Sequence, residues 1–453
     1  MKKLVTLLLA AGMVFSAANG ASAVEMKVSG QWMTSFTFGD NLYGDQYNPR
    51  GDNALKGSDG SFRADQRIRI NFDLVAGEYL SGRVQLQASG TSAEGGPTNE
   101  YDWGSAGVGG AGKSVTARLA YLDWMIPSTD VLVRMGRQEV ALPSYTFGSS
   151  VLDDVIDGVV INAPVTDMVG VTVGWLRPVA ELNRWGTAHR AHSSIDLAFL
   201  AVDVAADGFK VTPWGMVGFH GSRTENFDML GNGSTGLDEN TTAYWAGLGG
   251  ELTMFDPFRF TADFMYSGND ADHGAKRSGW YAALGAEMNT AYATPFLRGW
   301  YASGDDDDAD GEGGRFLSVN GAAAFDASSI YYDANYLISG TPDIGSASGT
   351  WGVQLGVKGV SFIEDLSHQL SVSYFQGTND DKSRGVANAD GPVGYMTTQD
   401  AAWSIDFLNS YKLYQNLTAN ILLSYLVTDF DKDVWGQDYD NIFRGTLNFT
   451  YAF

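Results

Sequence analysis

The sequence predicts an all-β protein, a closed antiparallel β-barrel that crosses a membrane. Three observations support this fold class: long segments in which apolar and polar residues alternate, connections that are alternately short and long, and a last segment that ends on an aromatic residue. Alternation of this kind places apolar side chains on one face of a strand and polar side chains on the other. The number of such segments indicates about 16 to 18 strands, with about 20 also possible.

The alternation is clearest at residues 62–74, 80–88, 258–267 and 417–428. In residues 62–74, the even positions are apolar apart from Gln66, and the odd positions are charged or polar. A single strand of this kind is also typical of a soluble β-sandwich. Many of the segments are roughly ten residues long, which is the length of a membrane-crossing strand. Strands in soluble proteins usually have about five or six residues. Their length and number therefore favour a transmembrane barrel.

The connections between the segments fall into two classes. Short turns at one end and long loops at the other are typical of an outer-membrane barrel, with short periplasmic turns and long extracellular loops. Because lipid offers no hydrogen bonds to backbone groups, the sheet has to close. The short connections are at residues 75–78, 127–130, 164–167, 205–207, 256–257 and 413–416, and the long ones are at residues 39–61, 90–113, 178–192, 222–240, 304–314 and 378–399.

The N-terminal segment is typical of a secretory signal peptide. Lys2 and Lys3 precede an apolar stretch at residues 4–15, and Ala-Ser-Ala at residues 21–23 matches the A-x-A cleavage pattern. The sequence therefore predicts a signal peptide at residues 1–23 and a single barrel domain at residues 24–453. Beyond residue 23 no apolar run reaches about 18 residues, so no transmembrane helix is expected.

The last segment alternates in the same way and ends on an aromatic residue. Phe449, Tyr451 and Phe453 share one face of this strand. They resemble the C-terminal assembly signal of outer-membrane barrel proteins. Together with the signal peptide, this segment predicts export to the outer membrane of a Gram-negative cell.

Composition and charge exclude several other classes of protein. The chain has no Cys, so it contains no disulfide and no cysteine-ligated metal site. Its formal net charge of −24 argues against nucleic-acid binding, because phosphate would be repelled. The hydrophobic content of 44% is too high for a disordered chain.

Two short motifs that resemble ligand sites lack the rest of their pattern. Residues 107–114 match the Walker pattern, but a phosphate-binding loop needs a buried strand before it and a helix after it. Asp306, Asp308 and Asp310 resemble the start of an EF-hand, but Leu317 stands where a bidentate Glu is needed. We expect no cofactor. Weak binding of Ca²⁺ by the loop that contains Asp306, Asp308 and Asp310 is the one alternative that we retain.

Catalytic motifs are also missing from the sequence. None of the five histidines stands in H-E-x-x-H, and no Ser stands in G-x-S-x-G. A metal site at His189 and His192, which share a loop, is a weak alternative. We therefore expect no enzyme, although some outer-membrane barrels are hydrolases.

Residues 130–178 carry the resemblance to a known family. A strand at 131–138 is followed by a loop at 139–156 and a second strand at 157–164. This stretch resembles the fifth strand, the inward-folded third loop and the sixth strand of general outer-membrane porins. The chain as a whole is similar to the homotrimeric porins of sulfate-reducing bacteria. The resemblance implies a homotrimer of water-filled barrels in contact with outer-membrane lipid and lipopolysaccharide, with one loop folded into each lumen.

The same resemblance implies a pore constriction with a transverse electric field. In such porins a basic wall faces acidic residues on the inward loop. The alternative is ordinary solvation of the lumen, with ion pairs between neighbouring strands. Arg137 has the wrong parity for the lumen unless its strand bends. The expected basic wall comprises Arg63, Arg67, Arg69, Arg83, Arg118 and Arg134, and the expected acidic loop comprises Glu139, Asp153, Asp154 and Asp157.

The function expected from these features is passive diffusion of small hydrophilic solutes and ions through a general porin. The alternative is a substrate-specific channel for sugars or carboxylates, which saturable transport would distinguish. An outer-membrane enzyme is the third possibility.

Overall fold

The computed structural model describes residues 24–41, 60–88, 101–102, 115–180, 194–220, 241–271, 276–307, 312–319, 325–332, 347–384, 391–392 and 394–453. The predicted signal peptide lies outside the described residues. Within them, no helix is long and apolar enough to cross a membrane.

Antiparallel strands form almost all of the described structure. Two of the twenty strands have only two residues, Tyr101–Asp102 and Glu312–Gly313, and the other eighteen are long. The long strands are β1 (Glu25–Asp40), β2 (Ser61–Val75), β3 (Leu80–Ala88), β4 (Val115–Met125), β5 (Leu132–Ala141), β6 (Asp153–Pro164), β7 (Val169–Ala180), β8 (Ser194–Ala206), β9 (Phe209–His220), β10 (Thr241–Phe255), β11 (Phe258–Ala271), β12 (Lys276–Met288), β13 (Thr294–Ala302), β14 (Thr350–Ile363), β15 (Leu366–Gly377), β16 (Ala401–Tyr414), β17 (Leu417–Asp429) and β18 (Ile442–Ala452).

The sheet closes on itself as a barrel. Each long strand pairs antiparallel with the next, and β1 pairs with β18 from Gln31 opposite Ala452 to Asp40 opposite Phe443. Closure leaves no free sheet edge. The predicted closed antiparallel barrel is therefore confirmed, with eighteen strands described.

The connections at the two ends of the barrel differ in length, as the sequence predicted. At one end, called here the turn end, successive strands are joined by two to six residues, as between Ala206 and Phe209. Gly208 in that turn has a φ of 71°, in the left-handed region that favours glycine. The longer connections all lie at the other end, called here the loop end.

The two faces of the sheet are chemically distinct. In β2, Phe62 is 69% exposed on the outer face, whereas Asp65 on the inner face is fully buried. Exposed aromatic rings form two bands on the outer face. The band near the loop end includes Tyr244, Tyr266, Trp280, Tyr301, Trp403 and Tyr425, and the band near the turn end includes Phe255, Phe258, Tyr292, Phe362, Tyr411, Tyr414 and Tyr451.

Two segments at the loop end fold into the lumen and pack on each other. The first is the connection between β5 and β6, residues 142–152, which agrees with the predicted inward loop. The second, residues 315–319 and 325–332, lies between β13 and β14 and was not predicted to fold inward. Phe147 of the first stacks on Phe325 of the second at 4.6 Å between ring centroids, and the Val319 N–H donates to the Val151 carbonyl (2.8 Å). The described residues 315–319 and 325–332 contain no strand, so this segment is a folded loop.

Candidate pore constriction

Arginine side chains line the inner face of β2–β5. Alternation along β2 and β3 places Arg67, Arg69 and Arg83 on the inner face, opposite the exposed apolar residues of the outer face. Three of the six predicted wall arginines form ion pairs on the wall itself, one within β2 and two between neighbouring strands. These pairs are Arg63–Asp65 (2.7 Å), Arg83–Asp73 (2.6 Å) and Arg134–Asp123 (2.7 Å).

Arg67 and Arg69 have a different environment. Arg67 contacts the Met33 sulfur (3.1 Å), and Arg69 donates from Nε to Gln87 (2.7 Å). No carboxylate of the described residues lies within ion-pair distance of Arg69. Its electrostatic neighbours include two more cations, Arg67 and Arg118. Three arginines therefore lie close together in this part of the wall, with Glu139 beside them.

Arg118 connects the wall to the inward loop. The register of β3 and β4 shifts between Gln85 and Leu86, so Arg118 is the extra residue of a β-bulge. Its guanidinium turns to the inner face, where Nη1 donates to Gln85 (3.0 Å) and to Glu139 (2.7 Å). The Arg118–Glu139 pair joins a predicted basic residue to a predicted acidic residue.

The inward fold begins where β5 leaves β4. Their last paired residues are Ala120 and Arg137, whereas β5 and β6 stay paired as far as Ala141 and Asp153. Gly136 at this point has a φ of 120°, and a Cβ there would lie 2.3 Å from the Ala120 carbonyl oxygen. The bend therefore requires glycine, and beyond it the β5–β6 hairpin enters the lumen.

The tip of the hairpin is fixed to the far wall. The Asp263 carboxylate on β11 accepts hydrogen bonds from the Tyr145 and Thr146 backbone N–H groups (2.8 and 2.7 Å). The Tyr145 hydroxyl also bonds to Thr212 (2.7 Å), and the Arg298 guanidinium lies 4.5 Å from the centroid of the Phe147 ring. These contacts hold residues 142–152 across the barrel interior.

The second inward segment is held by side chains of β13, β16 and β18. Arg298 pairs with Asp326 (2.9 Å), and Arg444 donates to the Ser329 carbonyl (2.7 Å). The Ser329 hydroxyl also donates to Asp406. The two segments thus cover the inner face on the β10–β18 side, and the arginine-bearing wall lines the remaining passage.

A second charged row lies on the inner face near the turn end, and sequence reasoning missed it. Its charges alternate in sign along β8, β9, β10, β11, β12 and β14, which gives it little net charge. Its pairs are Lys210–Asp203 (3.8 Å), Arg259–Glu251 (2.8 Å), Arg259–Glu287 (3.6 Å) and Lys358–Glu287 (2.7 Å). The signal available in the sequence was the charged residue at an inward position of each of these strands.

The predicted acidic residues do not all share one face. Asp153 lies opposite Ala141, in the same row as Glu139, and Asp154 lies on the other face opposite Val140. Asp157 differs from the prediction, because it pairs with Arg137 and is the register partner of Arg177 on the outer face. The inward fold begins only beyond Arg137, so Asp157 keeps the outward parity of its strand.

At the loop end, a buried carboxylate joins two connections. Asp400 accepts hydrogen bonds from Thr397, from the Asp431 backbone and from the Trp435 indole. Burial raises the pKa of Asp400 although these hydrogen bonds oppose the shift.

The predicted loop motifs give no site within the described residues. No group of three or more His, Cys, Asp or Glu side chains there could hold a metal ion. Of the predicted Ca²⁺ ligands, Asp306 is described, whereas Asp308 and Asp310 lie outside the described residues, as do 107–114, His189 and His192.

Comparison with known proteins identifies the fold but no relative by sequence. No family model matches the sequence, and no curated protein matches it. Among solved structures, the chain is similar to Pseudomonas aeruginosa OccK11 (OpdR), with 13% identity, a TM-score of 0.54 and coverage of 94% of this chain and 95% of that one. The chain has an OccK/Opd-type barrel fold.

Two more structures from Pseudomonas aeruginosa show the same likeness. OccK2 (OpdF) has 10% identity and a TM-score of 0.54, with 94% of this chain and 97% of that one covered. OpdK, whose structure contains vanillate, has 9% identity and a TM-score of 0.53, with 95% and 98% covered. At such identities the likeness concerns the fold alone.

Proposed function

We propose that the protein forms a water-filled channel in the outer membrane of a Gram-negative cell, through which small hydrophilic solutes and ions diffuse. The observation that carries this proposal is a closed barrel with an apolar outer face and a charged inner face. The two aromatic bands on the outer face match the interfacial girdles of membrane barrels. The structurally similar OccK and Opd proteins are outer-membrane channels, which supports the same location.

A substrate-specific channel for small carboxylates is the second candidate, and the wall of β2–β5 favours it. Arg67, Arg69 and Arg118 lie close together beside the passage, and guanidinium groups bind carboxylates well. Two inward segments also narrow the lumen, where a general porin is expected to have one. The vanillate in the OpdK structure is itself a carboxylate.

The finer expectations from the sequence stay predictions. These are assembly as a homotrimer, similarity to the porins of sulfate-reducing bacteria, contact with lipopolysaccharide and the lack of enzymatic activity. The facing of Glu139 and Asp153 toward the arginine wall supports the proposed constriction.

The purified protein in planar lipid bilayers tests the channel. We expect discrete conductance steps, and a protein that folds but never conducts would contradict the proposal. In liposomes, uptake of aromatic and aliphatic carboxylates that saturates with concentration would favour the substrate-specific channel. Linear uptake of carboxylates and sugars alike would favour general diffusion.

A further inference from the structure

Two arginines of the wall are held side by side by buried amides. Arg69 donates from Nε to Gln87 (2.7 Å), and Arg118 donates from Nη1 to Gln85 (3.0 Å). Both glutamines are buried, and they stand two residues apart on the inner face of β3. This spacing separates the two anchors by about 7 Å along the strand. The guanidinium groups of Arg69 and Arg118 are therefore positioned near each other by the wall itself.

A carboxylate of the chain lies against these two arginines. Glu139, just beyond the Gly136 bend of β5, accepts a hydrogen bond from Arg118 Nη1 (2.7 Å) and is an electrostatic neighbour of Arg69. The Glu139 side chain is 64% exposed, whereas that of Arg118 is 20% exposed. The contact thus joins a cation seated in the wall to an acid that reaches into the passage.

The Arg118–Glu139 contact leaves hydrogen-bonding groups open to a solute. Among the described residues, the Glu139 carboxylate has this one hydrogen bond, and Nη1 and Nη2 of Arg69 have none. A guanidinium group binds a carboxylate through N–H groups that form two parallel hydrogen bonds. A solute carboxylate can therefore bind Arg69 first and then take the place of Glu139 on Arg118.

Other carboxylates near the passage are less suited to such an exchange. Asp73 and Asp123 each bind their wall arginine with both oxygens, which holds them more firmly. Asp153 lies in the same row of the hairpin as Glu139, but it forms no ion pair with a described residue. Glu139 combines contact with an arginine, a single hydrogen bond and high exposure.

From this arrangement we infer that Glu139 is a tethered competitor, which solute carboxylates displace from Arg118 as they pass the constriction. The inference rests on the proposed carboxylate channel. The exchange keeps a carboxylate on Arg118 before, during and after passage, so the guanidinium is never left unpaired. Because Glu139 competes for the same group, the solute is bound weakly enough to leave, as transport through a channel requires.

Interruption of the single-channel current by benzoate tests the competition. The frequency of the interruptions reports binding of benzoate in the constriction, and their duration reports its release. We expect Glu139→Gln to raise the affinity for benzoate at least about threefold, chiefly through longer interruptions, because the competing ion pair is lost. Benzamide, which has the same shape and no charge, should interrupt neither protein.

Two control variants separate the contact from the charge. Asp153→Asn removes the same charge from the same row of the hairpin and should change the affinity much less. Glu139→Asp keeps the charge but is one methylene shorter, which breaks the contact with Arg118. It should therefore raise the affinity nearly as much as Glu139→Gln. Heat-modifiable mobility checks that each variant is folded.

Two results would overturn the inference. One is an equal affinity for benzoate in the wild type and in Glu139→Gln. The other is an equal effect of Asp153→Asn and Glu139→Gln with no effect of Glu139→Asp, because charge alone would then explain the change.

The wild-type protein separates this inference from the proposed function. Current that benzoate interrupts equally in all variants removes the competitor but leaves the carboxylate channel in place. Current that benzoate never interrupts refutes both the carboxylate channel and the competitor, and leaves the water-filled channel. A folded wild-type protein without conductance refutes the channel itself.

Discussion

Arginine residues with similar inward positions differ in their electrostatic role. Arg83 and Arg134 form bidentate pairs with wall carboxylates, so each pair adds little net field. Arg69 has no such partner among the described residues and lies close to Arg67 and Arg118. Charges clustered in a narrow passage are screened poorly, whereas loop charges are screened over a Debye length of about 8 Å. Selectivity should therefore follow Arg67 and Arg69 more than the net charge of −24.

Neutralising these two arginines provides the first test. We expect Arg67→Gln with Arg69→Gln to shift the reversal potential in a salt gradient towards cation selectivity. The matched control, Arg83→Gln with Asp73→Asn, removes a neutral pair and should shift it much less. Neutralising Asp305 and Asp306 at the loop end should also have a small effect. A larger shift from the loop variant would mean that the arginine wall serves only to solvate the lumen.

A charge introduced at two neighbouring residues of one strand should lower the free energy of unfolding by different amounts. Ile70 lies on the outer face midway along β2, and Asn71 lies on the inner face, where it bonds to Ser29 and Gln85. We expect Ile70→Arg to lower the free energy of unfolding in lipid by about 2–4 kcal/mol. Asn71→Arg should cost only about 1 kcal/mol through its lost hydrogen bonds. Urea titration in lipid vesicles measures both, and equal costs would contradict the assignment of the two faces.

At the scale of elements, the strands were predictable and the inward segments only in part. Period-two alternation and turn residues located the strands, because each strand has one apolar and one polar face. The second inward segment depends on contacts with residues far along the chain, such as Ser329 with Asp406 and Arg444. No local pattern encodes such contacts. Asp157 was misplaced because its face depends on where the hairpin bends, and that point is set by Gly136.

The hairpin between β5 and β6 should loosen when its anchor on the far wall is weakened. Asp263 accepts two backbone N–H groups, and Asn in its place can accept with only one oxygen. Losing a charge-assisted hydrogen bond costs about 1.5–3 kcal/mol, so the released hairpin becomes at least about tenfold more populated. We expect Asp263→Asn to increase single-channel conductance and its fluctuations. Glu287→Gln removes the same charge from the inner face, where its partners are Arg259 and Lys358, and should leave the conductance steady.

At the scale of the whole molecule, closure of the barrel depends on the two ends of the described chain. Gly30 and Phe453 exchange two backbone hydrogen bonds (2.8 and 3.0 Å), and the Phe453 ring stacks on Tyr451 at 5.6 Å. A Cβ on Gly30 would lie 2.5 Å from the Phe453 ring, so glycine leaves room for it. Phe453 thus completes the seam between β1 and β18, in addition to its predicted role as an assembly signal.

Removing this ring should therefore reduce assembly more than removing another exposed aromatic residue. Phe362, 85% exposed near the turn end, provides the control because it has no part in the seam. We expect Phe453→Asp, or deletion of Phe453, to lower the amount of heat-modifiable barrel in the outer membrane severalfold. Phe362→Ala should leave most of it in place, since it loses only contact with lipid and with the His368 ring. Equal amounts of folded barrel in the two variants would mean that the seam closes without Phe453, and the assembly signal would then lie elsewhere in β18.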